Sequence, residues 1–317
     1  MPRLFQGLTI DGVAITVVAT QDTVEYDSEK NTYDENAQYP ELLTTADDFR
    51  AAVKAGRSTL VLADDIKVDD GVQISITKDT TIDFNGKTLS GAVSSGSISS
   101  YDGPNNLVLS DPNNDGTTYS IDSSIVRHED GGMTQFAAIS TWKPTVTIKS
   151  GRYTHDNAVV LCQLQTMDPD AIGVQIDGGT FDGKGAATVI DNVIGHVVIN
   201  GGTFNAYSAG EKSGECVYVS SGSTTVPTIT TINGGTFNAE KRVFYVKTSA
   251  NYTQKILVTG GTFHVNEGGS LIEVSSGNAS DYLTITGGTF NVDPTAYVDT
   301  AKYTVTQNGG EWTVTAK

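Results

Sequence analysis

The chain has 317 residues, with 20 Lys and Arg against 37 Asp and Glu and a formal net charge of −17. So acidic a surface repels phosphate backbones and anionic bilayers, which argues against nucleic-acid and membrane partners; no apolar run reaches the roughly 18 residues that a spanning helix needs. Only 18% of residues are charged, and Gly is abundant at 34, a balance that favours a β-rich chain with many tight turns.

The chain opens MPRLFQGLTIDGVAITVV. Asp11 and Gly12 interrupt what would otherwise be the apolar stretch of a leader peptide. The chain is therefore expected not to be exported by the usual route, unless a leader has been removed. Leu8-Thr9-Ile10 and Val13 to Val18 flank Asp11-Gly12 as a hairpin does. A polar, acidic stretch follows, TQDTVEYDSEKNTYDENAQYPEL, and reads as an extended linker. A two-stranded hairpin is marginal in water by itself, so residues 1–43 are expected to form an attachment arm. It would dock on its own solenoid, on sister subunits or on another protein, through Leu4, Phe5, Leu8, Ile10, Val13, Ile15 and Val17.

Residues 44–57 read as a capping helix. Thr45 is placed to cap it, Asp47 and Asp48 sit near its positive end, and Phe49, Ala52 and Val53 share one face. Gly56 is a natural stop. Strand-like runs follow at 60–68, 72–78 and 80–84.

From there the chain repeats. Gly-Gly-Thr-Phe occurs five times, ending at Phe181, Phe204, Phe237, Phe263 and Phe290. TVTIKSGRYTHD is a degenerate copy with Tyr153 in the aromatic slot, and TIDFNGKTLSG another with Leu89 there. From Tyr153 to Phe290 the steps are uneven and average about 27 residues, as one structural unit with variable loops would give. A short alternating run precedes each Gly-Gly, and a second β run follows each Thr-Phe, as in 158–164, 216–221, 242–247 and 270–276. Tight corners and short strands on this period describe an all-β parallel β-helix over residues 58–296, with seven or eight coils stacked at about 4.8 Å. Tyr153, Phe181, Phe204, Phe237, Phe263 and Phe290 then form an internal core ladder. Residues 297–317 read as a closing hairpin with Trp312 over the last layer.

Little in the sequence points to chemistry. Cys162 and Cys216 fall two coils apart, about 9–10 Å if they share a sheet, which is too far for a disulfide and predicts free thiols in a reducing compartment. His128, His155, His196 and His264 lack metal-ligand spacing, and no cofactor site is evident. Most Asp lie in turns; DPNNDG at 111–116 lacks the spaced ligands of a calcium loop. Asp191, Tyr218, Lys247 and Glu273 lie in strands instead. Lys247 and Glu273 are expected to form a surface ion pair between coils. No carboxylate pair is assigned a catalytic role.

On the repeated Gly-Gly-Thr-Phe corner the chain resembles the single-stranded right-handed parallel β-helix proteins of the pectate-lyase-like kind, over about residues 58–296. With its short leading arm, reduced cysteines and capped ends, it also resembles bacteriophage head fibres, capsid-decoration proteins and tailspikes. The ending FNVDPTAYVDTAKYTVTQNGGEWTV is similar to endings of repeat-bearing surface proteins of gut bacteria and their phages. The resemblance implies a non-enzymatic structural protein of the virion, assembled in the host cytoplasm. Its arm, residues 1–43, would bind capsid or other virion structural proteins. It further implies a homotrimer and weak adhesion to a host-surface glycan, strengthened by many copies. Two alternatives remain open: a tail fibre or tailspike that binds or cleaves host polysaccharide, and a bacterial surface adhesin.

Overall fold

The computed structural model describes residues 40–68, 73–96, 106–129, 133–143, 145–166, 168–185, 187–209, 212–220 and 222–317. The hairpin and linker expected over residues 1–39, with Leu4, Phe5, Leu8, Ile10, Val13, Ile15 and Val17, lie outside the described residues.

The described chain is all-β apart from one α-helix, Ala46–Lys54, and two short 3-10 turns. Most strands pair in parallel with the strand one repeat before and one repeat after. Around Phe237, Thr228–Ile232 lies between the end of Thr188–Ile199 and Gln254–Val258. Thr236–Ala239 lies between Thr203–Ala206 and Thr262–Val265. Arg242–Val246 lies between Glu215–Val219 and Ser270–Val274. The chain thus visits three pairing ladders in turn, and the sheets curl around one apolar core. This arrangement is compatible with a β-helix-like solenoid.

The two glycines of each corner serve different needs. A Cβ on Gly201 would stand 2.7 Å from the carbonyl oxygen of Asp177 on the preceding rung. Gly202 has φ of +102°, a conformation that a side chain resists. One glycine admits the neighbouring backbone, and the other lets the chain turn.

Thr-Phe then enters the second ladder with Phe pointing inward. Tyr153 and the five Phe are fully buried and stack in register, with centroids 5.3, 5.0, 4.6, 4.8 and 4.8 Å apart from Tyr153 upward. Burying each ring contributes about 1.5–3 kcal/mol of transfer free energy, and offset stacking adds roughly 0.5–1.5. Below Tyr153 the column continues through Ile121, Leu89 and Ile66, two of which carry no trace of the motif. The threonine of each corner forms an outward rank. Thr180, Thr203, Thr236, Thr262 and Thr289 lie in register, and Thr313 and Thr306 of the final hairpin extend the line.

In the helix, the backbone N–H of Asp48 donates to the Thr45 hydroxyl at 3.1 Å. Phe49 and Ala52 are buried, while Val53 is partly so. Among the described residues one strand precedes it. Glu41–Leu43 pairs in parallel with Leu60 to Leu62, so residues read from sequence as the end of the arm belong to the sheet, and the helix connects these two strands. Three residues are too few for a periodicity to reveal.

At the far end, Glu311–Ala316 pairs antiparallel with Gly288–Phe290. Val314, opposite Gly288, takes the buried place. Trp312, expected to cover the layer, is half-buried beside it.

Both cysteines are free and buried, and burial holds both thiols well above their ordinary pKa. They do not share a column. Cys162 lies opposite Asn192, and Asn192 opposite Val219, so Cys216 is displaced by three positions along its strand.

Candidate functional site

The outer face of the third ladder gathers the polar and aromatic groups that the core rejects. In Arg242–Val246 the burial runs outward, inward, inward, outward, inward. Glu215–Val219 follows the same register, with Glu215 opposite Arg242 and Tyr218 opposite Tyr245. Two consecutive inward residues swing the side chain at position 242 round the corner, so it reaches across three rungs.

Arg242 is the centre of the cluster. Its Nε and Nη2 donate to Glu215 Oε2 at 3.2 and 3.0 Å, and Nη1 donates to Glu273 Oε2 at 2.7 Å. The guanidinium carbon lies 4.3 Å over the Tyr245 ring. That ring stacks on Tyr218 with centroids 5.4 Å apart and planes at 14°. Thr188 donates its hydroxyl to the other oxygen of Glu215 at 2.6 Å. Burial alone would lower the pKa of Arg242, but hydrogen bonds to Glu273 and Glu215 outweigh it and hold the group firmly charged. Two carboxylates, on the rungs either side of Arg242, thus share one cation, a network worth more than an isolated surface pair.

Asp191 stands in the same column, opposite Tyr218 on the preceding strand. Its Oδ1 is shielded from solvent and accepts no hydrogen bond. Burial, then the charge of Glu215, raises its pKa to about 7. Burial, then Asp191, raises Tyr218 as well. Near neutral pH the cluster holds a carboxyl poised between protonation states beside a fixed ion network.

The surface pair expected between Lys247 and Glu273 is not the one formed. Tyr245 stands opposite Glu273, and Arg242 supplies the cation. Sequence reading singled out Asp191, Tyr218 and Glu273 but missed Glu215, Arg242 and Tyr245. The available signal was the recurrence of tyrosine in V-Y-V and F-Y-V, one repeat apart.

A second cluster, on the neighbouring ladder, is saturated. Arg152 Nε donates to Asp182 at 2.8 Å, and Nη1 donates to the carbonyls of Gly116 and Thr117. Asn205 donates to Asp182, and Asn238 to Asn205. These bonds anchor the turn at 111–116, where Asp111 is buried and accepts from the Gly86 N–H and the Ser120 hydroxyl. His155 is buried, with Nδ1 accepting from the Asn157 N–H and Nε2 facing the Gln135 carbonyl. Burial lowers its pKa to about 4. Among the described residues no three His, Cys, Asp or Glu side chains converge as a metal site requires. The six ladder aromatics all lie in the core, away from these surfaces.

No protein-family model, curated protein or solved structure matches the chain.

Proposed function

We propose that this chain is a structural protein of a bacteriophage virion. In this reading it is a right-handed parallel β-helix of seven or eight coils, attached to the capsid as a head fibre or decoration protein through its leading arm. It is not an enzyme. The rod presents the Arg242 cluster to host-surface glycans and holds them weakly. The observation that carries the reading is the exposed edge of that cluster. A planar guanidinium, the outward Glu273 carboxylate and two stacked phenols combine fixed hydrogen-bonding groups with aromatic surface, which suits a ring rich in hydroxyls. One such contact is feeble, and many copies on one particle multiply it.

Two measurements test this. Chain displayed in many copies on beads should retain host capsular or surface polysaccharide, and Arg242→Ala or Tyr245→Ala should abolish retention. Equal retention by the variants would remove the glycan role. Separately, protein lacking residues 1–39 should fail to join purified particles; joining would refute the anchoring. The truncation stops at residue 39 because Glu41–Leu43 is part of the sheet.

One feature favours a second reading, a tailspike that cleaves polysaccharide. Asp191, neutral in part at pH 7 and coupled to Glu215, has the acid–base character that glycoside hydrolysis uses. Turnover that Asp191→Asn abolishes would establish it.

A further inference from the structure

The last hairpin leaves an edge that nothing among the described residues covers. Glu311–Ala316 reverses direction against Gly288–Phe290, and Tyr303–Asn308 is then the outermost strand of its sheet. Its six residues, Tyr-Thr-Val-Thr-Gln-Asn, include no charge, no proline and no glycine, and all six pair with the neighbouring strand without a bulge. Natural sheets blunt an edge of this length with lysine, proline or a bulge, because an open row of backbone groups recruits another strand. At the other end of the described sheets, the helix Ala46–Lys54 packs Phe49 and Ala52 into the core. At the C-terminal end the hairpin covers the core with Val314 and Trp312, but its own outer strand has no cover among the described residues.

The direction of the open groups follows from the turn. The hairpin closes at Asn308 and Glu311 through Gly309 and Gly310, both with positive φ, so the hydrogen-bonded pairs alternate from Asn308 backward. Thr304, Thr306 and Asn308 bond their partner strand, whereas Tyr303, Val305 and Gln307 point their N–H and C=O groups away from it. The Tyr303 N–H, consistent with this, goes to the Asp299 carbonyl at 3.0 Å. Val305 and Gln307 retain both groups, and Tyr303 its carbonyl.

We infer that this edge pairs with the same edge of a second copy, antiparallel about a twofold axis through Val305. The register is self-complementary. Val305 meets Val305 of the other copy and Tyr303 meets Gln307, giving about four backbone hydrogen bonds from groups with no competing partner. Opposed residues then lie on the same face of the joined sheet. The half-buried Tyr303 and Val305 border an open hollow of about 380 Å³ that Thr295, Gln307, Trp312 and Lys317 also line, and pairing sets the hollows of the two copies side by side.

Charge selects a copy of this chain at this place. The whole chain carries −17, yet residues 294–317 hold two acidic and two basic side chains, Asp299 and Glu311 against Lys302 and Lys317. Two chains that repel each other elsewhere can approach end to end here. The remaining repulsion is long-range, so association should strengthen as salt screens it.

The test is sedimentation of the full chain over about 1–100 μM at low and moderate salt, alongside Thr306→Lys and Val305→Pro. Thr306 is exposed, and lysine there sets like charges about the twofold axis. Proline removes the outward N–H of Val305, which the hairpin does not use. The wild-type chain should form a concentration-dependent dimer that salt strengthens, and both variants should be monomeric, melting where the wild-type chain melts when dilute enough to be a monomer. Should Val305→Pro fold poorly, Thr306→Lys alone decides. A wild-type monomer throughout, a trimer, or a dimer indifferent to Thr306→Lys would overturn the inference. The measurement is made on the free chain, so its outcome is independent of virion attachment.

Discussion

Phe204 and Phe237 are separated by the longest step between Tyr153 and Phe290, yet theirs is the shortest centroid separation in that column, 4.6 Å with planes at 11°. Loop length therefore has no bearing on the registry of the column. The chain comes back to the same place one rung on, because hydrogen bonds between equivalent strands fix the position.

Removing one ring from the middle of that column leaves a cavity flanked by two rings that cannot close on it. Phe237→Ala should destabilise the fold by about 3–5 kcal/mol in denaturant unfolding. Phe237→Leu should cost roughly 1–2 kcal/mol, because leucine already occupies the equivalent place at Leu89. A small loss for the alanine variant would mean that the column is not close-packed.

The glycines separate sterics from backbone strain. Gly116 has φ of +81° with open space around a built Cβ, and Gly201 meets a carbonyl at 2.7 Å without a positive φ. Gly202 combines φ of +102° with a carbonyl at 3.0 Å. Alanine should cost about 1 kcal/mol at Gly116 and roughly 2–3 at Gly201, with the largest loss at Gly202. Melting temperatures of the three variants give the order directly.

Glu215 is almost wholly buried and depends on Arg242 for its charge balance. Arg242→Ala should cost about 3–5 kcal/mol because it strands a buried carboxylate, and adding Glu215→Gln should recover much of the loss. Glu273, half exposed, should tolerate Gln within about 0.5 kcal/mol. A double-mutant cycle that finds Arg242 and Glu215 uncoupled would contradict the geometry.

Two buried groups respond to acid in opposite directions. His155, lowered to about 4 in the fold, takes up a proton more readily when unfolded. The stability it allows is present above about pH 6.5 and is lost as pH falls toward 4. Asp191, raised to about 7, holds its proton more tightly when folded, so its penalty is present above pH 7 and fades as pH falls. Each effect reaches roughly 3–4 kcal/mol at full extent, and between pH 7 and 5 they largely offset. Asp191→Asn removes one side of the balance. The variant should be more stable than the parent at pH 8. On going from pH 7 to 5 it should lose about 2 kcal/mol through His155 alone, where the parent changes little. Parallel curves for the two proteins would show that Asp191 titrates as an ordinary carboxylate.

The repeat of Gly-Gly-Thr-Phe determined the strand class, the parallel order and the inward aromatics, because a corner that only glycine can turn, followed by a ring that must be buried, is written in consecutive residues. The helix was equally local, since Thr45, Asp48 and Phe49 lie within one turn. Ile66 and Ile121 complete the same column with ordinary aliphatic residues and left no motif to find. The joining of Arg242 to Glu215 and Glu273 was decided in three dimensions alone. Those side chains come from three successive repeats, and they meet only because the register brings their rungs together and two inward residues turn Arg242 round the corner. So too with the open edge at Tyr303–Asn308. Its six residues read as half of a hairpin, and which half faces solvent depends on where Gly288–Phe290 lies.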